Sequence, residues 1–161
     1  MNNESAENQI MDCLLAYTRG IDRLDSESIV SAFHPGATLE GYRNVPTTIE
    51  DFSSSVIKSL REKYSATQHR LSNTKINFYG EKATVETYVL AFHVMDGDSG
   101  TPDELVTFNG RYIDKFENRD GNWRITERLL RSDWSKIEII DRKMPNSFIT
   151  GDRNRNDVSY N

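Results

Sequence analysis

LVTFNGRYIDKFENRDGNWRITERLLRSDW, residues 105–134, reads as two runs of strand-forming residues joined through Arg119-Asp120-Gly121-Asn122. Val, Ile, Tyr, Phe and Trp suit a pleated, half-buried surface, and Asp-Gly between two such runs signals a tight reversal. The stretch therefore predicts strands over Leu105–Phe116 and Trp123–Trp134. Upstream, Ala83–Met95 is a long run rich in Val, Tyr and Phe, closed by the turn formers Asp96-Gly97-Asp98-Ser99-Gly100-Thr101-Pro102. Before it, Thr67–Phe78 forms one or two strands that turn at Tyr79-Gly80-Glu81. The second half of the chain is thus a series of strands linked by hairpins.

The first half is helical. Ile10, Cys13, Leu14, Tyr17, Ile21 and Leu24 recur every three or four residues, the period of one helix face. A second row, Met11, Leu15, Thr18 and Asp22, widens the arc beyond what a surface helix needs. Gly20 weakens this helix locally. Asp25 or Ser26 caps a short second helix through Phe33, ended by Pro35-Gly36, and Ala37–Glu40 reads as a short strand. Thr48 and Asp51 resemble a capping box that opens a helix from Ile49 to about Lys63, with Phe52, Val56, Leu60 and Tyr64 as its apolar stripe. Helices first and hairpin-linked strands later predict an α+β fold, with about three helices packed on the concave side of a strongly curved antiparallel sheet. Strands of about twelve residues must twist and coil. A coiled sheet covered by helices encloses a cone, and a cone holds a pocket.

The chain has 161 residues, enough for one domain that needs no metal or disulfide staple. Apolar residues make up 36% and charged residues 28%, a globular balance rather than a disordered one. Net charge is −5, which repels phosphate backbones and anionic bilayers, so neither nucleic acid nor membrane is an expected partner. Cys13 is the lone cysteine, which rules out an intrachain disulfide and suits a reducing cytoplasm. The polar, acidic Met1-Asn2-Asn3-Glu4-Ser5 start does not read as a secretory signal. No apolar run approaches the ~20 residues of a membrane span. From Ser135 the strand signal fades, dividing the chain into a domain over 1–134 and an extension over 135–161. Met144–Asn161 reads as a polar tail or an arm onto a neighbour.

Three histidines are available for chemistry: His34, His69 and His93. His69 alternates with Thr67, Leu71 and Asn73. His93 shares a face with Val85, Val89 and Ala91, where it is either a hydrogen-bonded core residue or a site residue. His34, before Pro35 at a helix end, would face terminal carbonyls. Asp22 continues a helix row of otherwise apolar residues, and a carboxylate there needs a partner. It either caps the following turn, pairs with Arg19 or Arg23, or serves a site. No His-Glu-x-x-His, Cys-x-x-Cys, Gly-x-Ser-x-Gly or glycine-rich phosphate loop occurs, so no metal, nucleotide or serine nucleophile is implied.

Five words occur in order along the chain. They are Tyr17-x-x-Gly20-Ile21-Asp22-Arg23-x-Asp25, Phe33-His34-Pro35-Gly36-Ala37, Gln68-His69-x-x-x-Asn73, Gly110-Arg111-Tyr112-x-Asp114-x-Phe116 and Asp120-Gly121-x-Trp123-Arg124-Ile125-x-Glu127-Arg128. Together they resemble the SnoaL-like branch of the NTF2-like (cystatin-like) superfamily over about Ile10–Trp134. Within it the chain is similar to the group of scytalone dehydratase, bile-acid 7α-dehydratase and hexachlorocyclohexane dehydrochlorinase. The resemblance implies a cone-shaped α+β barrel and a cofactor-independent lyase or isomerase. It implies an Asp–His dyad of Asp22 and His69, with Tyr17 as a further catalytic residue. His93 and Arg128 match pocket positions of the group and Asn109 lies near another, a substrate-binding set, while the bile-acid enzyme's additional aspartate on the long strand has no match here. Tyr42 and Trp134, with Phe52, Val56 and Tyr88, are candidates for an aromatic wall around a small hydrophobic, ring-containing substrate. Relatives of this kind form trimers or dimers, so a homo-oligomer is expected.

Such a dyad has a physical rationale. A carboxylate that accepts one ring N–H of an imidazole sets its tautomer and stabilises the imidazolium that forms. Fold alone does not settle function. The same cone serves non-catalytic small-molecule binders and structural small subunits like those of ring-hydroxylating dioxygenases, and both readings stay open at the level of sequence.

Overall fold

The computed structural model describes residues 3–42, 44–143, 145 and 147–160. Three α-helices lie among the described residues, α1 (Asn3–Arg23), α2 (Ser26–Ser31) and α3 (Ile49–Lys63), with a short 3-10 turn at Val158–Tyr160. Six strands form one sheet: β1 (Phe33–Glu40), β2 (Thr47–Thr48), β3 (Ala66–Tyr79), β4 (Lys82–Met95), β5 (Asp103–Arg119) and β6 (Asn122–Ile140). Their order across the sheet is β2-β1-β6-β5-β4-β3.

β3 to β6 pair antiparallel, each with the next. The reversal between β5 and β6 is the two-residue Asp120-Gly121 turn, with φ of 54° and 83°. Positive φ at both positions matches the twist of the flanking strands, and Asp-Gly adopts it readily. The sheet departs from the all-antiparallel expectation at β1, which lies parallel to β6 (Thr38 beside Glu127, Leu39 beside Arg128). The sheet is therefore mixed. It is strongly curved into an α+β cone that does not close into a barrel.

β1 also begins earlier than expected. α2 stops at Ser31, and the strand runs through Pro35-Gly36, with its register broken between Phe33 and Thr38. A proline lacks the N–H that a continuous ladder requires, so the irregularity falls where the chain cannot pair. His34 sits in this strand rather than at a helix end, its Nε2 3.0 Å from the Glu117 carbonyl oxygen.

α1 buries Ile10, Leu14, Tyr17 and Ile21 against the sheet. Its second row is only partly covered: Thr18 is buried and Leu15 faces solvent. α3 is capped by Thr48, whose Oγ1 accepts from the Asp51 N–H at 3.2 Å and donates to the Asp51 carboxylate at 3.1 Å. One uncapped helix N–H is thereby satisfied.

β6 continues through Ile140, well past Trp134, so the strand crosses the expected domain boundary. Of the expected tail, Met144, Asn146 and Asn161 lie outside the described residues. Segment 151–160 folds back onto its own chain. Arg155 bonds Asp25 and Glu27, the Tyr160 hydroxyl donates to Asp25 at 2.9 Å, and Arg19 donates to the Ser159 carbonyl at 3.0 Å.

Gly20 marks the place where α2 crosses α1. A Cβ there would meet the Ile29 backbone nitrogen and Cγ1 at 2.8 Å. Alanine is the better helix former by about 1 kcal/mol, yet Gly20→Ala is expected to destabilise by about 1–3 kcal/mol, because the obstacle includes backbone. Urea unfolding reads the sign directly: a stabilised variant would contradict the crossing.

Candidate active site

The helices and the curved inner face of the sheet enclose a cavity of about 290 Å³. The whole apolar stripe of α3 lines it: Phe52, Val56, Leu60 and Tyr64. These positions recur every four residues and so stand one above another on a single helix face. Tyr17 and Ile21 of α1 and Tyr42 add further wall, as do Phe108 and Tyr112 of β5. A few polar side chains enter this apolar space, among them His69 and His93.

At the entry to β3, His69 meets Asp22 across 47 residues of sequence. The imidazole Nδ1 lies 2.8 Å from Asp22 Oδ1, and the His69 backbone N–H donates to Oδ2 at 2.8 Å. Two bonds from one residue to one carboxylate fix the ring relative to α1. Burial works against the Asp22 charge, but the hydrogen bonds and charge of His69 outweigh it and hold this carboxyl below its ordinary pKa. An ionised Asp22 is an acceptor only, so Nδ1 must carry the proton and Nε2 is left as the basic nitrogen. The side chains of His69 and Asp22 remain only 9% and 14% exposed.

His93 stands beside the pair, its ring 5.3 Å from that of His69 and 4.9 Å from that of Tyr64. Burial first, and the neighbouring His69 second, push its pKa down to about 4. His93 is therefore neutral near neutral pH and able to donate or accept one hydrogen bond. The unfolded chain binds a proton at His93 below about pH 6.5, the folded chain only below about 4, so acidification through that window favours unfolding. This histidine is expected to remove up to about 3 kcal/mol of stability between pH 6.5 and 4. His93→Gln should flatten that part of the curve in urea titrations, and an unchanged slope would refute the assignment.

Tyr17 and Tyr42 meet elsewhere in the cavity wall, hydroxyl to hydroxyl at 3.0 Å. Burial raises the pKa of both phenols, which keeps them as protonated donors. Behind Tyr17 and Tyr112 lies Arg128, 0% exposed. Its Nε and Nη2 reach the two oxygens of buried Asp114 at 2.8 and 2.7 Å. The Tyr17 and Tyr112 ring centroids are 4.2 and 4.0 Å from its guanidinium carbon. Arg128 thus supports the tyrosine layer from behind and does not line the cavity, unlike the expected substrate contact.

Asn109 and Trp134 are not in the cavity either. They pair with each other across β5 and β6 and line a separate cleft on the opposite face of the sheet, with Tyr88. Trp134 is 53% exposed. Tyr64, Phe108, Tyr112 and Leu130 line the cavity without having been singled out as site residues. The four-residue spacing from Phe52 to Tyr64 and the shared strand parity of Phe108 and Tyr112 are the signals that mark them. Among the described residues, no group of three or more His, Cys, Asp and Glu side chains could hold a metal ion. No helix among them is long and apolar enough to cross a membrane.

A curved sheet with helices over one face, a cavity between them and a histidine–aspartate pair in its wall defines an α+β cone of the NTF2-like, cystatin-like class. The chain belongs to the SnoaL-like domain family, whose model matches residues 4–129. No curated protein matches the sequence. Among solved structures, a candidate scytalone dehydratase from Novosphingobium aromaticivorans is 22% identical, with a TM-score of 0.72 over 92% of this chain and 97% of that one. A type 2 hexachlorocyclohexane dehydrochlorinase is 15% identical, with a TM-score of 0.77 over 91% and 97%. The type 3 enzyme from Novosphingobium barchaimii is 14% identical, with a TM-score of 0.76 over 89% and 97%. At these identities the likeness is one of fold.

Proposed function

We propose that this protein is a cofactor-independent lyase or isomerase of the dehydratase type, acting on a small, hydrophobic, ring-containing substrate by general acid–base catalysis. The observation that carries the reading is the 2.8 Å contact of His69 Nδ1 with Asp22, made by a histidine that also lines the apolar cavity. Two of the structural relatives bear names that denote eliminations, a dehydratase and a dehydrochlorinase, which agrees with it.

In this mechanism His69 Nε2 takes a proton from a substrate carbon and becomes imidazolium, stabilised by Asp22. The C–H electron pair forms the new double bond. In an elimination, the bond to the leaving group breaks and that group departs with its electron pair. In an isomerisation, the same proton returns to a different carbon. In the Tyr17–Tyr42 pair one hydroxyl donates to the other, which leaves the second proton free for a carbonyl or departing oxygen, and neutral His93 is a further donor beside His69. Oriented donors in a water-poor cavity act more strongly than donors in bulk solvent. The apolar wall selects an uncharged ring system with one polar end.

A panel of cyclic hydroxy-ketones and phenolic ketones, incubated with the protein and with His69→Ala, tests this by mass spectrometry. A product that loses water, or shifts a double bond, with the intact protein alone is the expected result. A ligand bound tightly but recovered chemically unchanged across the panel would favour a binding protein instead.

A further inference from the structure

The dyad has two sides. One is the cavity, and the other is an open cleft whose lining includes Asp22, His69, Leu15, Arg19, Arg23 and Ser159. Ser159 comes from the C-terminal segment, which crosses this side of the molecule at several anchored points. Arg155 and Tyr160 seize Asp25, the N-cap of α2. Arg19 donates to Ser159 and stacks on the Tyr160 ring, 3.9 Å from its centroid. Arg23 faces Asp157 at 3.7 Å.

Arg153 reaches the α3–β3 connection. Its Nη1 donates to the carbonyl oxygen of Tyr64, and its Nη2 to Thr67 Oγ1 at 3.4 Å. Tyr64 ends α3 and lines the cavity, while Thr67 lies two residues before His69 on β3. One guanidinium therefore bridges both ends of the short connection that delivers His69. Its Nε is buried without a hydrogen-bond partner, and burial lowers the pKa of this arginine. A group held at such cost is retained by the rest of its contacts.

We propose that segment 151–160 is a clasp walling one side of the cleft beside the Asp22–His69 pair, with Arg153 as a positioning residue that ties the α3–β3 connection beside it. This rests on the reading of Asp22 and His69 as the working pair. The clasp limits the water that reaches the carboxylate, whose side chain keeps only 14% exposure, and this strengthens its hold on the imidazole. It also restricts the connection whose movement would pull His69 off Asp22.

Proton NMR of the ¹⁵N-histidine-labelled protein tests the clasp without any substrate. In the intact chain, the Nδ1–H proton of His69 is expected as a downfield resonance that exchanges slowly with water. Arg153→Met is expected to raise its exchange about tenfold or more by opening the clasp locally, and Arg153→Lys to restore most of the protection. Unchanged exchange in Arg153→Met would overturn the clasp while leaving the dyad intact. Ring ¹⁵N shifts that place the His69 proton on Nε2 in the intact chain would overturn the dyad, and the clasp with it. Should Arg153→Met not fold, hydrogen–deuterium exchange of the unsubstituted chain decides. Protected amides across 151–160 support the clasp, and amides exchanging at the rate of free peptide overturn it.

Discussion

Asp22→Asn is expected to lower kcat by about 10²–10⁴-fold on any substrate the protein turns over, with little change in substrate affinity or fold. The size follows from what the amide does to the imidazole. Asparagine can still accept the His69 backbone N–H through its carbonyl oxygen, so the connection between α1 and β3 persists. Its NH₂ group can donate to Nδ1, which an ionised carboxylate cannot do. That donation favours the tautomer with the proton on Nε2, leaving no basic nitrogen toward the cavity. The charge that would stabilise the imidazolium is lost as well. Steady-state kinetics beside circular dichroism would separate these effects from unfolding. Turnover within a few-fold of the parent chain would end the acid–base reading, since it would mean that neither tautomer nor charge at this pair governs the rate.

Arg128→Met is expected to destabilise by about 3–5 kcal/mol, because it strands the Asp114 carboxylate in the core. That is a large share of the ~5–15 kcal/mol by which a domain is ordinarily stable. Burial already lifts the Asp114 pKa above the ordinary range despite the guanidinium. Removing that cation leaves desolvation unopposed. The loss extends to the rings of Tyr17 and Tyr112, which lie at 4.2 and 4.0 Å from the guanidinium carbon. Arg128→Met combined with Asp114→Leu is expected to recover most of the loss, since no buried charge then remains. Urea midpoints at constant m-value measure both variants. A single variant as stable as the parent would show that the pair contributes nothing.

Much of the architecture was legible because its signals are local. The Asp120-Gly121 turn, the Thr48–Asp51 cap and the alternation around Val85, Val89 and Ala91 each depend on neighbours in sequence. So do the two residues of the dyad as individuals: Asp22 ends a helix row, and His69 follows the helical half. Their mutual distance was not legible, since it is set by how α1 lies across the entry to β3. The parallel pairing of β1 with β6 was hidden for the same reason, and Pro35-Gly36 disguised the start of β1 as a helix end.

Trp134 shows a different failure. Counting by two from Leu130 along β6 puts Trp134 on the cavity side. The register shifts between Asn109 and Gly110, where Asp133 has no opposite residue on β5, and one extra residue turns the alternation inside out. Asn109 fails by parity alone, opposite in phase to Phe108 and Tyr112. Arg128 was misplaced by depth: a strand pattern tells which face a side chain takes, but not whether a layer of rings stands in front of it.

The parallel contact of β1 with β6 also bears on how the chain matures at the ribosome. Leu39 finds its sheet neighbour Arg128 only after some ninety further residues have been made. Until then the nascent helical half has an oily flank and no sheet to lay it on. The β3–β4 and β4–β5 hairpins can assemble as they emerge, whereas the final docking step waits for the last long strand. Truncated or stalled chains ending before β6 are therefore the species that holdase chaperones should capture.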